Sequence, residues 1–172
     1  MKSDWQDSGF HKGHADITAG IKRLETYIVE LPAFYKLFSE EQLVLKPDQE
    51  KWSHKEVLGH LIDSAHNNLR RFICGQYETT PSKIAYDQDF WVAANDYQHA
   101  TKEDVIQLWV LMNKQISSVL FQMSESDYKK VVDAGKAEIK LYSLQFLAED
   151  YVRHLKHHLN QIIPESFNIV YS

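Results

Sequence analysis

The sequence predicts an all-α protein built on four long helices. Three observations carry this. Gly and Pro are few, 6 and 4 in 172 residues, so little interrupts the chain. The segments between them repeat apolar residues at i, i+3 and i+4, as a helix with one buried face does, rather than alternating as strands do. Finally, 25 residues (76–100) separate the second and third of these segments. That is far more than an antiparallel helical hairpin needs, and such a crossover lets two helices run parallel.

The first helix is expected from Asp16 to Leu37, with Ile17, Ile21, Leu24, Ile28 and Leu31 on one face. Pro32 should kink or divide it near its end, because proline removes a helical hydrogen bond and clashes with the preceding turn. A polar stretch follows, SEEQLVLKPDQEKW. The second helix begins after Ser53, whose hydroxyl and the Glu56 carboxylate form the capping-box pattern, and runs to about Cys74, where Gly75 is placed to end it. The third starts at Thr101, which can cap Asp104, and continues to about Met123. The fourth spans Ser143 to Ile163 and stops at Pro164.

The crossover carries Tyr86, Phe90, Trp91 and Tyr97, too aromatic a set for a free linker. It is expected to pack across the bundle and close one end. Between the third and fourth helices, VVDAGKAEIKLYS has room for a short hairpin around Ala134-Gly135. Residues 1–14 read as an N-terminal arm carrying His11 and His14, and residues 15–172 as one domain.

The composition is 44% hydrophobic and 25% charged, which suits a globular protein and argues against disorder. Net charge is −5, and Lys and Arg are scattered among Asp and Glu, so no basic stripe offers itself to nucleic acid. Cys74 is the only cysteine, which excludes an intramolecular disulfide and fits a reducing compartment. No apolar signal core or membrane-spanning stretch is visible, so the expected location is cytoplasmic.

The chemistry lies in the histidines, of which there are nine. In YVRHLKHHLNQI, His154 and His158 stand four residues apart, one above the other on one helix face. They continue the seam Leu144, Leu147, Tyr151, which steps by threes and fours as core positions do. His157 falls instead with Arg153 and Asn160 on the solvent side. Two imidazoles so placed can bind one divalent metal from one side. They can equally be core-edge histidines satisfied by hydrogen bonds.

A third ligand is harder to choose. In WSHKEVLGHLIDSAHNNLRRF the apolar stripe is Val57, Leu61, Ala65, Leu69 and Phe72, and His60 points more than a quarter turn away from it, with Ser64, Asn67 and Arg71. Such a stripe is either half-exposed surface or the lining of an internal cavity, and periodicity does not decide between them. His54 and His66 remain rivals. Cys74 lies roughly 21 Å along the axis from His60, too far to share a metal.

Together WSHKEVLGHLIDSAHNNLRRF, the crossover run PSKIAYDQDFW and the late HLKHHLNQI resemble the DinB/YfiT-like metalloproteins, and within them the YfiT, or bacillithiol transferase, branch. The likeness spans about residues 30–163 with the blocks in order. It implies a four-helix bundle in an up-down-down-up arrangement, with the long crossover between its second and third helices. It also implies one divalent metal, zinc or nickel, held by three histidines, which match His60, His154 and His158 here. A homodimer is implied as well.

In role, the resemblance implies a transferase that activates a low-molecular-weight thiol of bacillithiol type toward electrophiles, with a small-molecule thiol and electrophile as its partners. Ligation to a metal removes the proton that a free thiol, with a pKa near ~8.5, mostly retains at neutral pH. The same open position could hold hydroxide, making a metal-dependent hydrolase. No HExxH-type glutamate stands between the ligands, which weakens that alternative. A metal-binding module without turnover is the third reading.

Metal-bound imidazoles usually donate their second N–H to a carboxylate or carbonyl. At least one of Asp63, three residues after His60, and Asp150, one turn before His154, is expected to be such an orienter, the alternative for Asp63 being a local cap or salt bridge. Asn67 and Arg71 share the His60 stripe, match the family's NNLRRF and could meet an anionic thiol cosubstrate. Tyr86 and Trp91 are candidates for a pocket lid, or else plug the core.

Overall fold

The computed structural model describes residues 15–78 and 83–164. Helix α1 spans Ala15–Tyr35 and continues a turn past Pro32, so the proline neither divides nor ends it. The polar stretch that follows hides a one-turn helix, α2 (Glu40–Val44), begun by a capping box between Ser39 and Gln42. Helix α3 (His54–Tyr77) starts at the predicted Ser53–Glu56 capping box but runs on through Gly75. The glycine serves packing instead of termination. A Cβ there would come within 2.8 Å of Leu144 and 2.9 Å of Val132.

The crossover is not a plain loop, since Asp87 caps a short helix within it, α4 (Gln88–Asn95). Of its aromatics only Tyr97 is fully buried. Tyr86 and Trp91 are half-buried and pack edge to face, whereas Phe90 is 69% exposed and plugs nothing. Helix α5 (Lys102–Gln122) is capped by Thr101, and a single turn, α6 (Glu125–Tyr128), follows. Strands β1 (Val131–Asp133) and β2 (Leu141–Ser143) form the expected antiparallel hairpin, with Val132 opposite Tyr142. Asp133 Oδ1 closes its loop by accepting from the backbone N–H of Gly135 and of Lys140, both at 2.9 Å. Ser143 then caps α7 (Leu144–Ile162).

Helices α1, α3, α5 and α7 form a four-helix bundle, and the contacts at their ends set its directions. Lys102, at the start of α5, reaches Phe38 O just beyond the end of α1 (2.8 Å), so these two helices are antiparallel. Lys55, at the start of α3, donates to Ala100 O beside the start of α5 (2.8 Å), so α3 and α5 run parallel. Helix α7 begins against Gly75 near the end of α3 and is antiparallel to it. The order is up-down-down-up. Leu24, Leu31, Leu58, Leu61, Ile62, Trp109, Ile116, Leu155 and Leu159 are fully enclosed at its centre.

The first half of α3 is buried on every side, from Lys55 to Ala65. The chain after α4 lies along it as a strap. Ser53 bonds Gln98, Lys55 bonds Ala100, and Asp63 bonds both Asn95 and Tyr97. No described helix is long and apolar enough to cross a membrane. The arm expected at residues 1–14, with His11 and His14, lies outside the described residues.

Candidate metal centre

The strap answers the question that periodicity left open at His60. With α3 covered on its outer side as well as its core side, His60 is 2% exposed and belongs to the interior. The antiparallel α7 brings His154 and His158 to it. One ring nitrogen from each of the three lies within 4.8 Å of the others, and among the described residues this is the only such group of potential ligands. His60 Nε2 and His154 Nε2 are 3.2 Å apart. Two imidazole nitrogens bound at ~2.0–2.1 Å in a tetrahedral shell stand about 3.3 Å apart, so the pair already has the bite of a divalent metal. The donor set, three imidazoles, suits a divalent transition metal, zinc and nickel among several.

Burial also sets the protonation state. It pushes His60 down to about 3 and His154 down to about 4, with the neighbouring imidazoles adding to the effect. His158 is lowered as well, mainly by burial. All three are therefore neutral at neutral pH and present lone pairs instead of charges, as ligation requires.

The rival histidines stand apart. His66 is exposed, with Nδ1 against Ile62 O (3.2 Å). His157 is exposed beside Gln161. His54 packs edge-on against Phe38 outside the cluster.

Neither expected orienter does that work. Asp63 is enclosed, but its Oδ1 accepts from Tyr97 Oη (2.7 Å) and Asn95 Nδ2 (2.9 Å) of the strap, and its buried Oδ2 bonds no described residue. Burial raises it to about 6. Asp150, half-exposed one turn before His154, pairs with Arg153 at 2.7 Å. The orienting bond comes instead from Gln161, whose Oε1 accepts from His158 Nδ1 (3.1 Å), leaving Nε2 as the ligand atom. The Nδ1 atoms of His60 and His154 are buried and have no hydrogen-bond partner among the described residues.

Asn67 bonds back to Asp63 O (2.9 Å), and Arg71 engages Ile84 O through Nε and Nη2 and Asn68 through Nη1. Arg71 therefore braces the crossover against α3, and its guanidinium is already engaged rather than held out for an anion. Tyr86 and Trp91 touch each other, and Trp91 lies one turn before Asn95 on α4.

The aromatic ring that does touch the centre is Trp52. Its indole lies 4.8 Å from the His60 ring, tilted by 33°. Trp52 precedes the α3 cap, where no periodicity locates it, whereas Gln161 follows His158 by three residues, a same-face spacing readable in advance. Beside the centre opens a pocket of ≈ 560 Å³, lined by Pro47, Trp52, His54, Val57, Gln88, His158 and Gln161, with Glu50, Lys51 and Asp89 on it as well.

Fold and site together define an all-α bundle protein with a three-histidine cluster suited to one divalent metal. The chain belongs to the DinB superfamily, whose sequence profile matches residues 23–162. It is 24% identical over 146 residues to a candidate metal-dependent hydrolase of Oceanobacillus iheyensis, covering 82% of this chain and 84% of the relative. To YfiT of Bacillus subtilis, named in the same way, it is 23% identical over 142 residues, 83% of this chain and 79% of YfiT. The solved structure of YfiT, described as an unusual four-helix bundle, superposes with a TM-score of 0.77 over 85% of this chain and 83% of its own. A mycothiol-dependent maleylpyruvate isomerase superposes at 0.66 with 10% identity, over 89% of this chain and 62% of its own. These structural likenesses are likenesses of fold.

Proposed function

We propose that the chain is a divalent-metal-dependent enzyme that joins a low-molecular-weight thiol, of bacillithiol type, to an electrophile. One observation carries the reading. The candidate ligands are imidazoles alone, and neither nearby aspartate is bonded to them. Metal-dependent hydrolases usually keep a carboxylate base beside the metal to deprotonate or steer water, whereas thiol activation needs only the loss of the thiol proton on ligation.

A zinc or nickel ion held by His60, His154 and His158 would supply undiminished positive charge, favouring the thiolate of a bound thiol at neutral pH. The chain's own part is to keep that charge in place. Burial holds the imidazoles neutral, Gln161 sets the tautomer of His158, and Trp52 backs the ring of His60. In the transfer the thiol sulfur forms a bond to the electrophilic carbon while the bond from that carbon to its leaving group breaks. The leaving group departs with the electron pair, and the thiol proton passes to water. The fold likeness to an isomerase named for its dependence on mycothiol supports a thiol cosubstrate.

Hydrolysis is the second reading. The names of the two sequence relatives favour it, as do Glu50 and Asp89, carboxylates on the same pocket as His158. One experiment separates the readings. Protein loaded with zinc or nickel is given monochlorobimane with and without bacillithiol, and in parallel a panel of activated esters without thiol. Thiol-dependent conjugation supports the transferase. Ester turnover without thiol supports the hydrolase, and neither, despite bound metal, leaves a metal-binding module.

A further inference from the structure

The pocket beside the centre has a chemistry of its own. Its volume, ≈ 560 Å³, is far more than a metal and its water require and lies within the range of small-molecule sites, about 300–1,000 Å³. Its lining joins apolar Pro47, Trp52 and Val57 to the charged Glu50, Lys51 and Asp89, and to His158 and Gln161 of the metal site. Trp52 belongs to pocket and metal site alike, since its indole lines the pocket and also rests on His60 at 4.8 Å. A group lying along Trp52 is therefore held beside His60 and within reach of His158.

His54 adds a polar handle. Its Nδ1 is buried with no hydrogen-bond partner among the described residues, and its ring is fixed edge-on against Phe38 at 5.6 Å. His54 also lines the pocket, and its other ring nitrogen, Nε2, can bond a ligand there when it carries the proton. Nothing in the three-histidine site uses this residue.

We infer that this pocket is the electrophile subsite and that it takes a flat aromatic electrophile, stacked along Trp52 and bonded through a ring or carbonyl oxygen to His54. The inference rests on the transferase reading for the word electrophile, but the binding it describes is independent of turnover. An aromatic face against an indole contributes dispersion and ring-quadrupole attraction that a small aliphatic electrophile cannot match. The subsite therefore selects by shape, and the metal ligands stand at one side of whatever it holds.

The test uses two probes. The first is syn-bimane, a planar dicarbonyl without a leaving group, titrated into zinc-loaded protein while the indole N–H signals are followed by ¹H–¹⁵N NMR. A saturable shift of the Trp52 signal is expected, with affinity reduced about tenfold in His54→Phe. The second is kinetic: Trp52→Leu should raise KM for monochlorobimane about tenfold while leaving KM for iodoacetamide within about twofold. The wild-type titration needs no variant and so stands even if Trp52→Leu folds poorly. No binding, or binding that leaves the Trp52 signal unmoved, overturns the subsite even where thiol conjugation is observed. Binding at Trp52 without any conjugation keeps the subsite and removes the transferase reading.

Discussion

Tyr97 lies with its ring flat against the backbone of Gly59, so close that a Cβ on residue 59 would come within 2.1 Å of the ring. Its hydroxyl is held by Asp63 Oδ1 at 2.7 Å, one turn further along α3. The tyrosine cannot swing aside without leaving a buried carboxylate short of a partner. Intrinsic propensity would favour Gly59→Ala by about 1 kcal/mol. The clash reverses the sign. We expect a net loss of about 2–3 kcal/mol, a fall of roughly 4–12 °C in Tm for a chain of this size. His60 is the next residue, so zinc affinity should fall as well. Thermal unfolding checks the first expectation and competition with a chromophoric chelator the second. A Gly59→Ala protein as stable as wild type would mean that the strap does not hold α3.

Gln161, not an aspartate, orients a ligand. Its Oε1 accepts from His158 Nδ1, while the Asp150 carboxylate is engaged by Arg153. Removing the partner of a metal-binding imidazole costs about 10–100-fold in affinity. Gln161→Ala should therefore weaken zinc binding by that factor, and Asp150→Asn should leave it within about twofold. Competition titrations on both variants, beside His154→Ala as the non-binding reference, read this directly. Equal affinities for wild type and Gln161→Ala would return His158 to an unsupported ring.

The contrast between these two residues also shows where the sequence was legible. The caps at Ser53, Thr101 and Ser143 are local chemistry within four residues, and the long helices begin where that chemistry says. His154 and His158 were separable from His157 because one helix's own period sorts its faces, and the structure buries the first two more deeply. What failed depended on a second element. Gly75 reads equally well as a stop and as a close-packing site, and only the arrival of Leu144 and Val132 decides. Asp63 sits at the right distance from His60 along α3, yet Tyr97 and Asn95, more than 30 positions away, claim its carboxylate. Trp52 precedes its helix, so no period points it at His60. The short helices α2 and α4 bury only Leu43 and Val92 respectively, too little apolar surface to leave a repeat.

Acid should destabilise the metal-free protein through the same histidines. In the unfolded chain an imidazole takes its proton near pH 6.5, whereas in the fold His60 does so near 3 and His154 near 4, and His158 is lowered in the same direction. Between those values the unfolded state binds more protons, so stability rises with pH. The contribution is fully present above about 6.5 and is lost as pH falls through about 4 for His154 and about 3 for His60. Asp63 opposes it. Raised from 3.8 to about 6, it stabilises most at low pH, and that contribution is lost as pH rises to 6. Three imidazoles outweigh one carboxylate, so the Tm of chelator-treated protein should fall steadily from pH 7 to pH 5. His60→Asn should show a shallower slope. A Tm that is flat or rises toward pH 5 would contradict the buried, neutral state of the cluster.

The strap itself depends on one buried cation. Lys55 is 2% exposed, and its ammonium is held by Glu40 Oε2 at 2.6 Å and Ala100 O at 2.8 Å. Glu40 also accepts from the backbone N–H of Lys102 through Oε1 (2.9 Å), so one carboxylate ties α2 to the starts of both α3 and α5. Its interaction with Lys55 and Lys102 holds the Glu40 carboxyl below its usual range. Removing the carboxylate leaves the ammonium enclosed with one carbonyl, a larger penalty than losing a surface pair, which contributes about 0–1 kcal/mol. Glu40 is itself partly open to water, which moderates the cost. Glu40→Ala should therefore lower stability by about 2–3 kcal/mol. The loss should barely change between 0.05 and 0.5 M NaCl, because salt screens exposed pairs far more than buried ones. Denaturant unfolding at the two salt concentrations is the measurement. A loss that disappears at high salt would show that Lys55 finds its partner in solvent and that the strap is held by its other bonds.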